Sequence, residues 1–302
     1  MYRVLVNDGM QQEAIDKLKL LGIEVVDTHY NQDILGETLK SFDAVVIRSA
    51  TKLTKEILKK ASEGQLRLSI RAGVGIDNIE VEYAKSLGIT VKNTPNASSN
   101  SVAELAIAHI FSVARFLGIS NFTMRNGEWN KKQYKGTEIY GKTLGIIGMG
   151  RIGQSLAKKA EVLGMKVIYY TIEGKHDNLH YEFLDFEEVL RKSDFLSLHT
   201  PYDKNKGPLI GENEFSMMKS GIYIINCARG KVVDEKALLK ALESGKVSGA
   251  GIDVFEDEPT KNLDLINDPR VSVTPHIGAS TKEAQNRIGD EVVSIIREFF
   301  NL

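Results

Sequence analysis

Three residues late in the chain have types suited to proton chemistry on a small carboxylic acid. Arg229 follows an apolar run in IINCARG, Glu258 lies in GIDVFEDEP, and His276 lies in VTPHIGAS. An arginine can grip a carboxylate through two parallel hydrogen bonds. A histidine, with an ordinary pKa of about 6.5, can take or return a hydroxyl proton near neutral pH. A neighbouring carboxylate fixes the imidazole tautomer and favours its protonated form. Beside a redox cofactor, such a set suits hydride transfer between a 2-hydroxy acid and a 2-oxo acid. Singly, each residue has a blander explanation: a surface ion pair for Arg229, a solvated turn for Glu258 before Pro259, a core ring for His276. The set makes sense only if one sheet edge gathers all three.

A cofactor is indicated by residues 142–170, KTLGIIGMGRIGQSLAKKAEVLGMKVIYY. The run 143–147 reads as a buried strand, 154–163 as a helix stopped by Gly164, and 166–170 as a second strand. Between strand and helix, Gly148, Gly150 and Gly153 stand in G-x-G-x-x-G spacing. The first glycine allows a tight turn, the second lets backbone touch a pyrophosphate, and the third allows close helix packing. The helix N-terminus then offers amides and a positive dipole end to the phosphates. An acidic residue normally ends the second strand and holds the adenosine ribose. Thr171 stands there instead, with Glu173 just beyond and Lys175 and His176 after it. Glu173 folding back favours NAD, whereas Lys175 and His176 would suit a 2′-phosphate; a plain solvated loop is also open. NAD is the expected cofactor.

The remaining histidines (His29, His109, His176, His180, His199) show no partner of the His276 kind and no H-x-x-x-H pair, so no metal is expected. Cys227 is the one cysteine, which excludes internal disulfides and fits a reducing compartment. Within its apolar run it reads as a small core residue. A net charge of −1 gives no pull toward nucleic acid or anionic membrane. No apolar run reaches membrane-spanning length, and MYRVLVND reads as a strand where a signal peptide would stand, so a cytoplasmic location is expected.

These residues need a scaffold, and the pattern supplies one. Strands alternate with helices throughout, which implies parallel sheets. The expected class is α/β, with two doubly wound parallel-sheet domains: a Rossmann-like dinucleotide-binding domain over 98–279, inserted in a smaller flavodoxin-like substrate-binding domain over 1–97 and 280–302. LGIEVV, LGITV and LGMKVI each read as a helix end with an inward-packed leucine, a glycine and a strand. A long buried helix is expected from about 101 to 116, with Ser101 and Glu104 as a capping box. Residues 119–141, with Trp129, read as an irregular arm, and 281–300 as a final amphipathic helix.

GMGRIG, NCARG, DVFEDEP and TPHIGAS, in this order, resemble the D-isomer-specific 2-hydroxyacid dehydrogenase family over nearly the whole chain. The resemblance implies that Arg229 binds the substrate carboxylate, His276 is the acid/base and Glu258 pairs with it. It implies cofactor contacts at Gly148, Gly150, Arg151, Ile152, Gly153 and Thr171. Others are implied at Thr200, Pro201, Cys227, Ala228, His276 and Gly278, with Asp253 on the nicotinamide amide. VIRSATKLT, RAGVGIDNIE and NTPNASSNSVAELA are similar to the short D-3-phosphoglycerate dehydrogenases. There Arg48, Ser49, Arg71, Val74, Gly75 and Asn96 would face the substrate, with Lys131 where a basic residue can reach a neighbouring subunit's phosphate site. From the residues alone, Arg48 and Arg71 end strands and are explained equally by a phosphate patch or by structural ion pairs.

The reaction so implied is oxidation of D-3-phosphoglycerate to 3-phosphohydroxypyruvate with NAD, the entry to serine synthesis, in a homodimer. The chain stops at Leu302, so a C-terminal regulatory domain and serine feedback are not expected. Two alternatives stand beside it. A glyoxylate or hydroxypyruvate reductase would work equally well on acids without phosphate. An NADH-sensing, corepressor-like binding protein would show negligible turnover, and retention of the arginine, glutamate and histidine set argues against it.

Overall fold

In the computed structural model, which describes residues 1–302, helices and strands alternate from end to end. The chain forms two compact units, Met1–Ser98 with Ala279–Leu302, and Ser99–Gly278.

The first unit runs β1 (Arg3–Val6), α1 (Gln12–Leu20), β2 (Glu24–Asp27), α2 (Gln32–Leu39), β3 (Ala44–Ile47), α3 (Lys55–Ala61), β4 (Leu68–Arg71), α4 (Val81–Ser86) and β5 (Thr90–Asn93). The sheet order is β2-β1-β3-β4-β5, and every pairing is parallel. Its middle strand, AVVI, is buried at every position, as a parallel strand covered on both faces must be. Alternate residues feed two cores: Leu5, Val45 and Ile47 face one, Val4, Val6 and Val46 the other.

The second unit opens with α5 (Ser99–Arg115) and α6 (Leu117–Arg125). It continues through β6 (Thr143–Ile147), α7 (Arg151–Val162), β7 (Lys166–Tyr170), β8 (Glu182–Phe183), α8 (Phe186–Lys192), β9 (Phe195–Leu198) and α9 (Glu212–Met217). It ends with β10 (Ile222–Asn226), α10 (Glu235–Glu243), β11 (Val247–Ile252), α11 (Leu263–Ile266) and β12 (Val271–Val273). Its seven strands, all parallel, lie in the order β12-β11-β10-β9-β6-β7-β8. The chain order reverses between β6 and β9, and in such sheets ligands bind beyond the strand ends at that switch point. The glycine turn follows β6 there, and His199 and Thr200 follow β9. The last helix, α12 (Lys282–Phe300), capped by the Thr281 hydroxyl, belongs to the first unit and packs Ile288, Val292 and Ile296 into its core.

Three local expectations need correction. Ser101 does not cap a helix: α5 starts at Ser99, and the buried Ser101 hydroxyl donates to the Gly278 carbonyl at 2.7 Å. Glu104 instead accepts from Asn100 within the helix. Residues 117–125 are helical, not irregular. Phe116 adopts φ 56°, a left-handed break that turns α6 away from α5 by 66°. Nor does every leucine of the Leu-Gly marks pack inward: Leu21 and Leu87 are partly buried against the first unit's cores, whereas Leu163 is 36% exposed. The buried residues flank them: Leu18 and Ile23, Ala84 and Ile89, Ala160 and Met165. In each pair the later amide donates to the earlier carbonyl, at 3.3, 3.0 and 3.0 Å, the capping pattern with its accompanying apolar contact. No single helix is long and apolar enough to cross a membrane.

Candidate active site

β10, β11 and β12 are neighbours in the sheet, and the loops leaving their carboxyl ends carry Arg229, Glu258 and His276 in turn. The first loop is closed by the residue that ends β10. Asn226 Oδ1 accepts from the Ala228 amide at 3.1 Å, and its Nδ2 donates to the Arg229 carbonyl at 2.9 Å. Gly230 then lies so close to the second loop that a Cβ would stand 1.7 Å from the Phe255 carbonyl oxygen. Glu235 and Glu256 fasten the same two loops by accepting from each other's amides, at 2.8 and 3.1 Å.

In the second loop Glu258 Oε1 accepts from the Phe255 amide at 3.2 Å, and Oε2 meets His276 Nδ1 at 2.7 Å. Burial pushes the Glu258 carboxyl up. The His276 hydrogen bond and charge, the Phe255 amide and the Arg229 guanidinium together outweigh it and hold the carboxyl below its ordinary range. Glu258 is therefore an anion, and an anionic carboxylate only accepts. That assigns the Nδ1 proton to His276 and leaves its Nε2 for a second partner.

His276 sits at φ 53°, a conformation uncommon for a residue with a side chain. The surrounding bonds hold it there. Its amide donates to the Asp253 carbonyl at 2.8 Å. The Asp253 carboxylate, 1% exposed, accepts on Oδ1 from Thr274 Oγ1 at 2.6 Å and from the Ile277 amide at 2.8 Å. Its Oδ2 accepts from the Gly278 amide at 2.9 Å. Asp253 thus holds both flanks of the turn that presents the imidazole.

The glycine turn has the shape a dinucleotide requires. Gly148 adopts φ 95°, and a Cβ on it would lie 2.5 Å from the His199 carbonyl oxygen. A Cβ on Gly153 would lie 2.3 Å from the Gly148 carbonyl oxygen, so α7 can close onto the turn only with glycine there. Gly150, between them, opens onto free space, and no side chain caps the helix start. The amides of Arg151, Ile152 and Gly153 stand at that start, where a diphosphate binds. Beyond β7, Thr171 Oγ1 donates to the Glu173 carboxylate. That bond, with the residue's own amide, holds Glu173 below its ordinary pKa. A carboxylate therefore does stand at the end of β7, two residues late. Next to the turn, Thr200 Oγ1 and His199 Nδ1 are enclosed with no protein partner. Burial lowers His199 to about 4, so its ring is neutral. Cys227 is buried, which raises its thiol and keeps it protonated. These donors and the open cradle fit a dinucleotide. No group of three or more His, Cys, Asp or Glu side chains is arranged to hold a metal ion.

In the first unit, Arg48 and Ser49 follow β3 on a loop braced from both sides. Asp8 Oδ2 accepts from the Arg48 amide at 2.6 Å, and Asn78 Nδ2 donates to the Arg48 carbonyl at 2.6 Å. Arg71 ends β4, with its guanidinium over Gly73 and Nη1 donating to the Ala72 carbonyl at 3.3 Å. Val74 and Gly75 follow, the Val74 carbonyl accepting from Asn93 Nδ2. Asn96 donates to Glu291 at 3.0 Å. Lys131 belongs to the other unit, exposed in the stretch after α6.

Residues 107–278 match the family model for the NAD binding domain of D-isomer specific 2-hydroxyacid dehydrogenases. The chain belongs to that family. It is an NAD-dependent 2-hydroxyacid dehydrogenase, and the three loops carry a set suited to this chemistry. Hydroxypyruvate reductase of Thermotoga maritima is 43% identical over 98% of this chain and 97% of its own length. D-3-phosphoglycerate dehydrogenase of Methanocaldococcus jannaschii is 41% identical over 99% of this chain, which spans only 57% of that longer protein. Among solved structures, D-lactate dehydrogenase of Aquifex aeolicus, complexed with NAD and lactic acid, superposes with a TM-score of 0.87. It is 33% identical and covers 99% of this chain, and 95% of that chain is covered in turn.

Sequence reasoning missed the residues that hold the dehydrogenase's loops. Asn226 could have been found, since an asparagine ending a strand before a turn commonly bonds its own backbone two residues on. His109 and Thr274 carry no local signal, because their partners lie on other elements.

Proposed function

We propose that this dehydrogenase reduces short 2-oxo acids to D-2-hydroxy acids with NADH, and that hydroxypyruvate is its principal substrate. The observation that carries the reaction is the His276–Glu258 pair at 2.7 Å, within the electrostatic reach of Arg229. NADH, when bound, supplies the hydride that becomes the C2 hydrogen. Arg229 holds the substrate carboxylate in a two-pronged grip. His276 Nε2 gives its proton to the carbonyl oxygen, and Glu258 steadies the ring before and after. Gly150, Arg151, Ile152 and Gly153 take the diphosphate, and Thr171 with Glu173 takes the adenosine ribose. Thr200, Pro201, Cys227, Ala228, Asp253 and Gly278 serve the rest of the cofactor.

One observation favours an acid with an uncharged tail: the likeness to hydroxypyruvate reductase runs the length of both proteins. In this reading Ser49, Val74, Gly75 and Asn96 in a flavodoxin-like first unit recognise the hydroxymethyl end. A second reading, oxidation of D-3-phosphoglycerate toward serine, is favoured by Arg48, Arg71 and Lys131 and by the likeness to the longer phosphoglycerate dehydrogenases. Assays of hydroxypyruvate, glyoxylate and 3-phosphohydroxypyruvate with NADH separate the two. The first reading expects hydroxypyruvate to have the highest kcat/KM and Arg48→Ala to change it little. A dominant phosphorylated substrate, lost in Arg48→Ala, would establish the second.

The same proposal includes a homodimer. Leu117, Phe122, Met124 and Trp129 are all more than half exposed on α6 and the stretch after it, apolar surface that a second copy would cover. Sedimentation at the mass of one 33.5 kDa chain would rule the dimer out.

A further inference from the structure

His109 lies in the middle of α5 and is only 2% exposed, yet both ring nitrogens have partners. Nδ1 is 3.0 Å from Ser272 Oγ and Nε2 is 3.1 Å from Thr274 Oγ1, both hydroxyls on or just after β12. The ring reaches them across β11, where a Cβ on Gly251 would stand 2.5 Å from the His109 Cβ. The protons in this cluster can be placed. Thr274 has one hydroxyl proton, and it goes to the Asp253 carboxylate at 2.6 Å, which can only accept. Thr274 Oγ1 must therefore accept from His109, so Nε2 carries the ring proton and Nδ1 accepts from Ser272. Burial lowers the His109 pKa, in keeping with a neutral ring.

A directed chain of hydrogen bonds results, from Ser272 through His109 and Thr274 to Asp253. Asp253 in turn accepts from the amides of Ile277 and Gly278, on the far side of the strained residue His276. We propose that His109 is a positioning residue for the dehydrogenase reaction, fixing through Thr274 and Asp253 the turn that aims His276 at the substrate. Both ring nitrogens are taken up by protein hydroxyls, so the ring acts only through its neighbours. It orders the donors around Asp253, which then holds the His276 backbone in a conformation the chain would otherwise leave. The inference rests on His276 being the proton donor.

The test compares His109→Leu, Thr274→Val and Thr274→Ser in the full chain, with hydroxypyruvate and NADH as probes. His109→Leu and Thr274→Val should each lower kcat by about tenfold, the upper end of what one intramolecular hydrogen bond contributes. The NADH dissociation constant, read by fluorescence titration, should move by less than about threefold, because no cofactor contact is removed. Thr274→Ser, which keeps the hydroxyl, should restore most of the rate. The double variant His109→Leu/Thr274→Val should be no slower than the slower single one, since both cut the same chain. A folded His109→Leu with the original kcat would overturn the proposal, as would losses that multiply in the double variant. If His109→Leu does not fold, the contrast between valine and serine at Thr274 decides: equal rates overturn it. Should His276→Gln retain full activity, the reading beneath it fails instead.

Discussion

His276 Nδ1 stands 2.7 Å from Glu258 Oε2, and the two residues come from loops that leave adjacent strands, 18 residues apart in the chain. A parallel sheet brings them together because every strand delivers its carboxyl end to the same edge. Chemistry written into three separate strand-end loops is thereby collected on the same sheet edge as the glycine turn that follows a fourth.

Glu258→Gln should lower kcat by roughly tenfold to a hundredfold while leaving NADH binding intact, because the ring loses the anion that stabilises its charged form. The pair also has a pH signature. Glu258 lies below its ordinary value of 4.5, so its contribution to stability is complete above that value and is lost as pH falls through the lower folded-state pKa. Urea midpoints of the parent and Glu258→Gln should therefore differ by a constant amount down to about pH 4.5 and converge below it. A difference that grew on acidification would contradict this sign.

Arg229→Lys keeps the charge but loses the fork that matches a carboxylate. Its expected effect is a rise in KM for the 2-oxo acid of about tenfold or more, with the NADH dissociation constant unchanged. Steady-state kinetics checks it. An unaltered KM would remove Arg229 from the substrate site.

How much of this was legible beforehand follows from how local each cause is. β7 has the expected bounds, because a β-rich run between a helix-ending glycine and the next turn has few other options. α6 was hidden because its start depends on Phe116 turning left-handed, and LGISNFTMR has a glycine and no clean apolar period. The strand-end positions of Arg229, Glu258 and His276 could be read from their motifs. Asp253 was noticed as a residue for the cofactor, yet its hold on the His276 turn could not be read. Nor could the partners of His109, which lie 163 and 165 residues away on and just after the edge strand β12. The distance between the Leu-Gly leucines and the residues they bracket is a smaller case: the pattern located the cap, while packing chose which neighbours to bury.

Glu173 supplies the carboxylate that Thr171 lacks, and its ionised form would repel a 2′-phosphate. Glu173→Ser should therefore raise kcat/KM for NADPH and lower it for NADH, shifting the ratio by about tenfold, the size of one lost charge contact. Assays with both cofactors measure it. An unmoved ratio would mean that Glu173 does not face the ribose.

In the proposed reaction His276 delivers the proton that accompanies hydride transfer. Single-turnover oxidation of pre-bound NADH by hydroxypyruvate in His276→Gln tests this step alone. NADH should bind as in the parent, and the rate should fall by about a hundredfold or more. A variant that turned over at the parent rate would contradict it.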